Sequence, residues 1–315
     1  MGIRGLNALI KKHSPDSITQ NDIRKYYGKI VAIDCSILLY KFKYASNIEN
    51  SHLVGIANRA KFYVMNGILP VFIFDGVPPE AKNITLEKRQ AAKHKIYIRL
   101  DELKGKVPRS EEEELEINNE IEKLQSQIII VKKYHVEQCK EFLEKSGIPY
   151  CTAPNDAEKY CAFLQKNKLV DYTVTDDSDA LTFGCSNVLK TSISKQITEI
   201  DLEKLLTDID MSMDNFVDYC ILSGCDYTES IPLIGPITAY NLVKKHGCIE
   251  NIVSGGVKLT DNFNYIICRD IFTTFNYELP EPFSMKKTDK DIIIQFMNTH
   301  NFRDNVISKF IKILI

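Results

Sequence analysis

Seven carboxylate side chains occupy positions from which they could act on a single ligand. Asp34, Asp75 and Asp177 each follow the last apolar residue of a run, in "KIVAID" (29–34), "PVFIFDG" (70–76) and "DYTVTDD" (171–177). Asp179 stands two residues beyond Asp177. Asp156 and Glu158 open a helical pattern straight after "APN", and Asp226 follows a helical stretch that closes at Gly224. If the apolar runs are parallel strands, their ends share one sheet edge, where open α/β sheets place ligands, and acids from five segments converge there. Carboxylates gathered in this way repel one another and lose hydration, so a cation must accompany them. Oxygen donors with no competing His or Cys group suit a hard divalent ion, Mg²⁺ with Mn²⁺ as its substitute, rather than zinc. Two such ions about 3.5–4 Å apart are the usual arrangement for hydrolysing a phosphodiester. Singly, each acid has a simpler role: an Asp after a strand caps a turn, and "NDAE" is a capping box with Asn155 at the cap and Glu158 three residues on. Their joint placement is what points to a metal site. Asp176 is read as a local cap and stays outside the set.

The elements that must position these acids are legible in outline. The three apolar runs read as strands, and the amphipathic stretches 135–147, closed by Gly147, and 156–167 read as helices. Strands alternating with helices predict an α/β fold with a largely parallel central sheet, and unbroken apolar runs predict strands covered on both faces. Residues 80–134 carry no strand pattern: a basic part, 80–99, precedes an acidic part, 100–126, that contains "EEEELE". This predicts a helical insertion with a flexible crest at "KGKVPRS" (104–110). Beyond 184 the pattern is helical, with 201–209, 214–224 and "IPLIGPITAYNLVKKHG" (231–247). A turn at Gly235 and Pro236 between two helices predicts a helix–hairpin–helix over about 214–247, whose amides can hold a backbone phosphate. The boundary falls near 255, with 256–315 a weakly patterned helical and irregular extension.

Composition narrows the class. The 315 residues are 44% hydrophobic and 26% charged, which gives ample core. Net charge is −2 and pI about 6.3, so any nucleic-acid contact must come from local patches. Nine cysteines with no C-x-x-C pair predict reduced thiols inside a cell. No apolar run approaches the roughly 18 residues of a membrane span. The first residues lack a secretory pattern, and Leu6 stands where a myristoylation motif at Gly2 needs Ser or Thr.

With these residues assembled, the chain resembles the flap endonucleases, in the XPG-like family of structure-specific 5′ nucleases. The likeness runs from "MGIRGL" to "KKHG" at 247, through "AIDCS", "VFIFDGVPPEAK", "APNDAE", "TDDSDALTFG" and "LSGCDYTESIPLIGP". It implies a PIN-like, Rossmann-like fold in which 1–255 is the nuclease core, with an arch at about 80–134 and the helix–hairpin–helix (H2TH-like) element. It also implies a Mg²⁺-dependent hydrolase of phosphodiester bonds with two ions per site, cutting 5′ flaps at single-strand/duplex junctions in DNA replication and repair. The substrate would be branched DNA with a free 5′ strand. The family's metal acids correspond to Asp34, Asp75, Asp156, Glu158, Asp177, Asp179 and Asp226. Its two cations at the scissile phosphate correspond to Lys82 and Arg89, seven residues apart and so on one helical face. Tyr40 matches a base-stacking tyrosine, Gly2 a small residue near the duplex junction, and Arg59, Gly224 and Gly235 match DNA contacts.

Departures accompany the likeness. Asp156 stands where the family more often has Glu. The hairpin reads Leu233, Ile234, Gly235, Pro236, Ile237, Thr238, one glycine and its cations short of the frame for a bound monovalent ion. Asn47 replaces an arginine, and the chain stops at "FIKILI" with no clamp-binding peptide or basic tail. A monomer at a nuclear or other site of DNA replication, a viral factory included, is expected, with no membrane partner. The alternatives are a 5′–3′ exonuclease, a bubble or junction cutter, a ribonuclease of related fold, or a non-catalytic DNA-binding module. The last has no reason to keep all seven acids.

Overall fold

The three apolar runs fold as inner strands of a seven-stranded sheet in a computed structural model that describes residues 2–46 and 48–314; Asn47 lies outside them. The strands are β1 (Ile18–Asp22), β2 (Ile30–Asp34), β3 (Leu69–Phe74), β4 (Tyr150–Thr152), β5 (Tyr172–Val174), β6 (Asn187–Leu189) and β7 (Gln196–Asp201). Their order is β1-β7-β6-β5-β2-β3-β4, parallel from β6 through β4, with β7 and β1 antiparallel at the other end. The helices are α1 (Leu6–His13), α2 (Cys35–Ala45), α3 (Ser51–Met65), α4 (Asn83–Lys104), α5 (Glu111–Gln127), α6 (Lys133–Lys145), α7 (Ala157–Lys166) and α8 (Asp179–Thr182). They continue with α9 (Leu202–Asp208), α10 (Met213–Ser223), α11 (Pro236–His246), α12 (Ile249–Ser254), α13 (Tyr265–Thr273), α14 (Lys290–Thr299) and α15 (Asp304–Phe310).

Period-two alternation explains why the central strands are apolar throughout. In β2 and β3, Val31, Ile33, Phe72 and Phe74 join one core cluster, while Ala32, Val71 and Ile73 join the cluster on the opposite face. Order along the sheet reverses between β2 and β5: the chain runs outward through β3 and β4 on one side and through β6 and β7 on the other. That reversal opens a crevice at the carboxyl ends of β2 and β5, the position open sheets use for ligands.

The insertion is α4 and α5, spanning the β3-to-β4 crossover, with the expected crest between Lys104 and Glu111. Ser110 caps α5 by accepting from the Glu113 amide (3.2 Å), and four glutamates fill the first turn, where the helix dipole favours them. Arg99 of α4 bridges to Glu120 of α5 at 2.9 Å. Gly147, φ +65°, ends α6 as expected, and its carbonyl accepts from the Lys286 amide (2.8 Å).

The C-terminal extension is more ordered than its sequence pattern predicts. Helices α14 and α15 set Phe296, Phe302 and Phe310 around Phe142 of α6, with ring centroids 5.0–6.0 Å apart. Arg269 of α13 ties α10 to α12. Its guanidinium donates to both oxygens of buried Asp218 (2.8 Å each) and to Glu250 (2.8 Å), and Asp218 also accepts from the Ile249 amide (2.9 Å). Replacing Arg269 by Met keeps the stem but strands a buried carboxylate. Urea unfolding should show a loss of about 2–3 kcal/mol, discounted from the usual cost of breaking a buried pair because Arg269 is partly exposed.

Candidate active site

Five strand and helix ends deliver the acids. Asp34 closes β2 and is the N-cap of α2, where its Oδ1 accepts from the Ser36 amide (2.9 Å) and its Oδ2 from Thr175 Oγ1 (2.8 Å). That second bond links the ends of β2 and β5 across the crevice. Asp75, exposed just past β3, accepts from the Ser36 hydroxyl and from the Ala157 amide (2.8 Å). Asp177 and Asp179 follow β5, and the Asp179 amide donates back to Asp177 Oδ1 (3.2 Å). Glu158 lies in the first turn of α7, and the capping box predicted there does not form. Asp156 is the N-cap without a side-chain cap bond, and Asn155 turns away, its amide to the Val77 carbonyl (3.4 Å) and its oxygen accepting from the Tyr277 hydroxyl (3.2 Å). Glu158 is thereby left without the capping role.

Asp34, Asp156, Glu158, Asp177 and Asp179 are all buried. Burial first, then the field of Asp75, pushes the Asp34 carboxyl up to about 7. Glu158 is raised well above the usual range by burial and then by Asp34, Asp75 and Asp177. Asp179 is raised by burial, then Asp177 and Asp226, and Asp177 rises chiefly through burial. The fields of Asp34, Asp75, Asp177 and Asp226 reach these raised carboxyls, so the structure brings Asp34, Asp75, Glu158, Asp177, Asp179 and Asp226 to one region, with Asp156 beside them on Lys82. Among the described residues no three His, Cys, Asp or Glu side chains are drawn up closely enough to grip an ion as they stand. The donor set nevertheless fits hard divalent cations: it is all oxygen, and Asp179 Oδ1 is buried with no hydrogen-bond partner.

Two cations come from the base of the arch. Lys82, just before α4, reaches Asp156 Oδ1 at 2.6 Å, and Arg89, two turns on, reaches Asp226 Oδ2 at 2.6 Å. Thr85 between them donates to the Asp226 carbonyl (2.8 Å), and Lys88 bridges to Glu229 (2.9 Å). Burial opposes the charged form of Lys82, but the Asp156 carboxylate outweighs it and the ammonium is held above its ordinary range.

The remaining predicted residues divide. Tyr40 on α2 is exposed, with Lys93 of α4 lying 6.0 Å from its ring centroid. Gly2, φ +88°, sits so tightly on the Asp177 loop that a Cβ would collide with Asp177 Oδ1 and Ser178 Oγ. Gly224 ends α10 at φ +114° and its carbonyl accepts from the Arg4 amide (3.0 Å). Gly235, N-cap of α11, has ordinary negative φ and open space around it, while Leu233 beside it takes φ +66° and is 99% exposed. Arg59 is turned inward: it is buried, and its guanidinium donates to the Thr191 carbonyl, which it would have to leave to meet DNA. Asp176 does the expected local work, accepting from Lys41 and Thr191.

Sequence reasoning missed the hydroxyls that orient the acids. The hydroxyls of Ser36 and Thr175 reach acids 39 and 141 residues away, Asp75 and Asp34, so the local sequence carries no signal for them. Tyr227, whose hydroxyl donates to Asp156 Oδ2 at 2.7 Å, has no such signal beyond directly following Asp226.

The residues match two family models, the XPG N-terminal domain over 1–96 and the XPG I-region over 147–226. The chain is 36% identical over 319 residues to flap endonuclease 1 of Nematostella vectensis, covering 94% of this chain and 82% of that one. It is likewise 36% identical over 353 residues to flap endonuclease 1 of Plasmodium chabaudi chabaudi, covering 100% and 71%. Among solved structures, the catalytic core of Rad2 in complex with DNA substrate superposes with TM-score 0.77 at 24% identity, 99% of each chain being covered. The flap endonuclease-1 of Methanococcus jannaschii superposes with TM-score 0.67 at 28% identity, covering 95% and 96%.

The raised carboxyls give the metal-free protein a defined pH response. A group titrating near 7 when folded and near 3.8 otherwise contributes stability that is complete below about pH 4 and is lost as pH rises through 7. In EDTA the thermal midpoint should therefore fall by about 2–4 °C between pH 6 and 8, and saturating Mg²⁺ should remove much of that fall. Asp34→Asn should reduce the fall in EDTA without abolishing it, because Glu158 and Asp179 are raised as well; an unchanged slope in that variant would contradict the assignment.

Proposed function

The chain belongs to the XPG-like family of flap endonucleases, and we propose that it is a Mg²⁺-dependent 5′ nuclease that cuts branched DNA at the junction of a 5′ single-stranded flap with duplex. The observation that carries this reading is the meeting of buried, mutually repelling carboxylates at the β2/β5 crevice with two cations from one helical face. Asp34, Asp75, Glu158, Asp177 and Asp179 are the acids that would hold two divalent ions, with Asp156 and Asp226, each paired with a cation, at the rim of the set. Such ions, when bound, supply electrophilic charge at a phosphodiester and make water acidic enough to attack it at neutral pH.

The chain's own residues bring the substrate to that charge. Lys82 and Arg89 exchange their carboxylate partners for phosphoryl oxygens and offset the charge that builds there. Tyr40 offers an exposed ring on which a frayed base stacks, and Lys93 above it reinforces the platform. Gly2 and Gly224 let the backbone pass close beside the Asp177 and Asp226 loops. The N-terminus of α11 at Gly235 faces duplex phosphate with free amides, although no cation supports it in the first turn. Arch helices α4 and α5 stand over the route of the single strand. The enzyme acts as a monomer wherever DNA is replicated.

Asp179→Ala should lower single-turnover flap cleavage by about 10³-fold or more while leaving flap affinity within about threefold, and Lys82→Ala or Arg89→Ala should cost about 10²-fold. Binding should weaken steeply with salt. Flap, nicked, bubble, four-way-junction and RNA-flap substrates, offered to the unmodified protein in Mg²⁺, test the substrate class. Faster cutting of a nick or junction than of the flap would reassign the enzyme within its family, and no cutting of any substrate would reject the reading.

A further inference from the structure

Three exposed tyrosines, Tyr40, Tyr44 and Tyr134, mark a course that leads away from the acids. Asp34 is the N-cap of α2, and Tyr40 and Tyr44, four residues apart on that helix, share one of its faces. Tyr44 is the more exposed of the two, at 67% against 39%. Ten residues of helix place it about 15 Å along the axis from Asp34. There it lines a cavity of about 880 Å³ between the last turn of α2 and the limb of the arch that returns from α5 to α6. Tyr134, also exposed, lines the same cavity from the arch side.

Charge and apolar surface alternate around this cavity. Lys43 stands next to Tyr44 with its ammonium on the Glu49 carbonyl (3.3 Å), and Lys132 Nζ lies 5.8 Å from the centroid of the Tyr134 ring. Ile128 and Ile130 add apolar wall, and Glu122 is the one carboxylate among the lining residues. Lys132 and Lys133 open α6, at the helix end where the dipole disfavours cations, and an anion settled there removes the conflict. Flat rings interleaved with ammonium groups suit an unpaired nucleic-acid strand, whose bases stack while its phosphates are neutralised. A duplex keeps its base faces paired and stacked within itself. A lone exposed tyrosine is ordinary on a protein surface. This pair differs because both rings line one cavity, and that cavity continues the line begun by Tyr40.

We propose that Tyr44 and Tyr134 form a second base-stacking site, separate from Tyr40, for flap nucleotides about four to five removed from the acids, the span that 15 Å of strand allows at about 3.4 Å per nucleotide. Lys43, Lys132 and Lys133 hold the phosphates of that segment. The site recognises base faces as well as backbone charge, so a flap with bases removed at these positions loses the contact. It also makes recognition depend on length, because a flap too short to reach Tyr44 gains nothing from it. This rests on the nuclease reading above and deepens it by naming what holds the single strand beyond the junction.

The test uses the full chain and two DNA junctions that differ only in flap length, about two and about twelve thymidines, bound in EDTA so that nothing is cut. Tyr44→Leu and Tyr134→Leu should each weaken the long-flap complex about 10-fold and leave the short-flap complex within about twofold. Tyr44→Phe and Tyr134→Phe keep the rings and should bind both junctions as the unmodified chain does. A 2-aminopurine at about the fifth nucleotide of the long flap should lose at least about half its fluorescence on the unmodified chain and keep it on the Leu variants. Abasic sites at about the fourth to sixth nucleotides should cost the unmodified chain as much as Tyr44→Leu does, and cost that variant nothing more. Equal losses with both flaps, or undiminished long-flap binding by the Leu variants with an unquenched probe, would overturn the proposal. Cutting of the short flap in Mg²⁺ by the same unmodified protein would keep the nuclease reading in either case. Failure of the unmodified chain to bind or cut either junction would bring down both.

Discussion

Parallel strands end on the same side, and in this chain the ends carry charge that the sheet cannot leave to water. Asp34 closes β2, Asp75 follows β3 and Asp177 follows β5, so the hydrogen-bond register that pairs Ile33 with Phe72 and Val174 also brings three carboxylates to one edge. The apolar residues behind them belong to the core on both faces, so the strands cannot slip to relieve the repulsion without exposing that core. The stability of the sheet thus enforces a local concentration of negative charge, and the remaining features of the site are responses to it. Hydroxyls of Ser36 and Thr175 fix the orientation of Asp75 and Asp34, the amide of Ala157 anchors Asp75, and two cations are drawn in from the next crossover.

Placing those cations at the start of α4 ties the arch to the acids. The helix buries only Leu100 and Leu103, both near its far end against α5, so its position over the crevice depends on polar contacts at its base. Lys82, Thr85, Lys88 and Arg89 all reach partners in the Asp156 and Asp226–Glu229 regions. Interactions of this kind reorganise readily when a competing charge arrives, unlike a packed apolar seam. The same side chains that hold the arch are the ones available to a phosphate.

Much of this was legible in the sequence, and the limits have physical causes. Strands β2, β3 and β5 announced themselves because they are buried on both faces, and the acids because they interrupt those runs. Strands β4 and β6, three residues each, are too short to show a period, and "ITQND" of β1 is polar, formed by its ladder to β7 some 180 residues away. The extension beyond 255 looked weakly patterned because its aromatic residues seek partners on α6 and α7 rather than along one helical face. The seven acids were found together, but their inequality was not: which of them meets a cation depends on how α4 lies, and that is set by tertiary contacts. The inward turn of Arg59 has the same origin, since burial of a guanidinium beside the Thr191 carbonyl leaves no mark in the local sequence.

Helix α4 has a mechanical consequence. Its 22 residues make a rod about 33 Å long, held near its start by two ion pairs 7 residues apart. A tilt of about 10° at that anchored end would sweep the crest at Lys104 through about 6 Å. A small shift at the ion pairs is thus geometrically magnified at the far end of the helix.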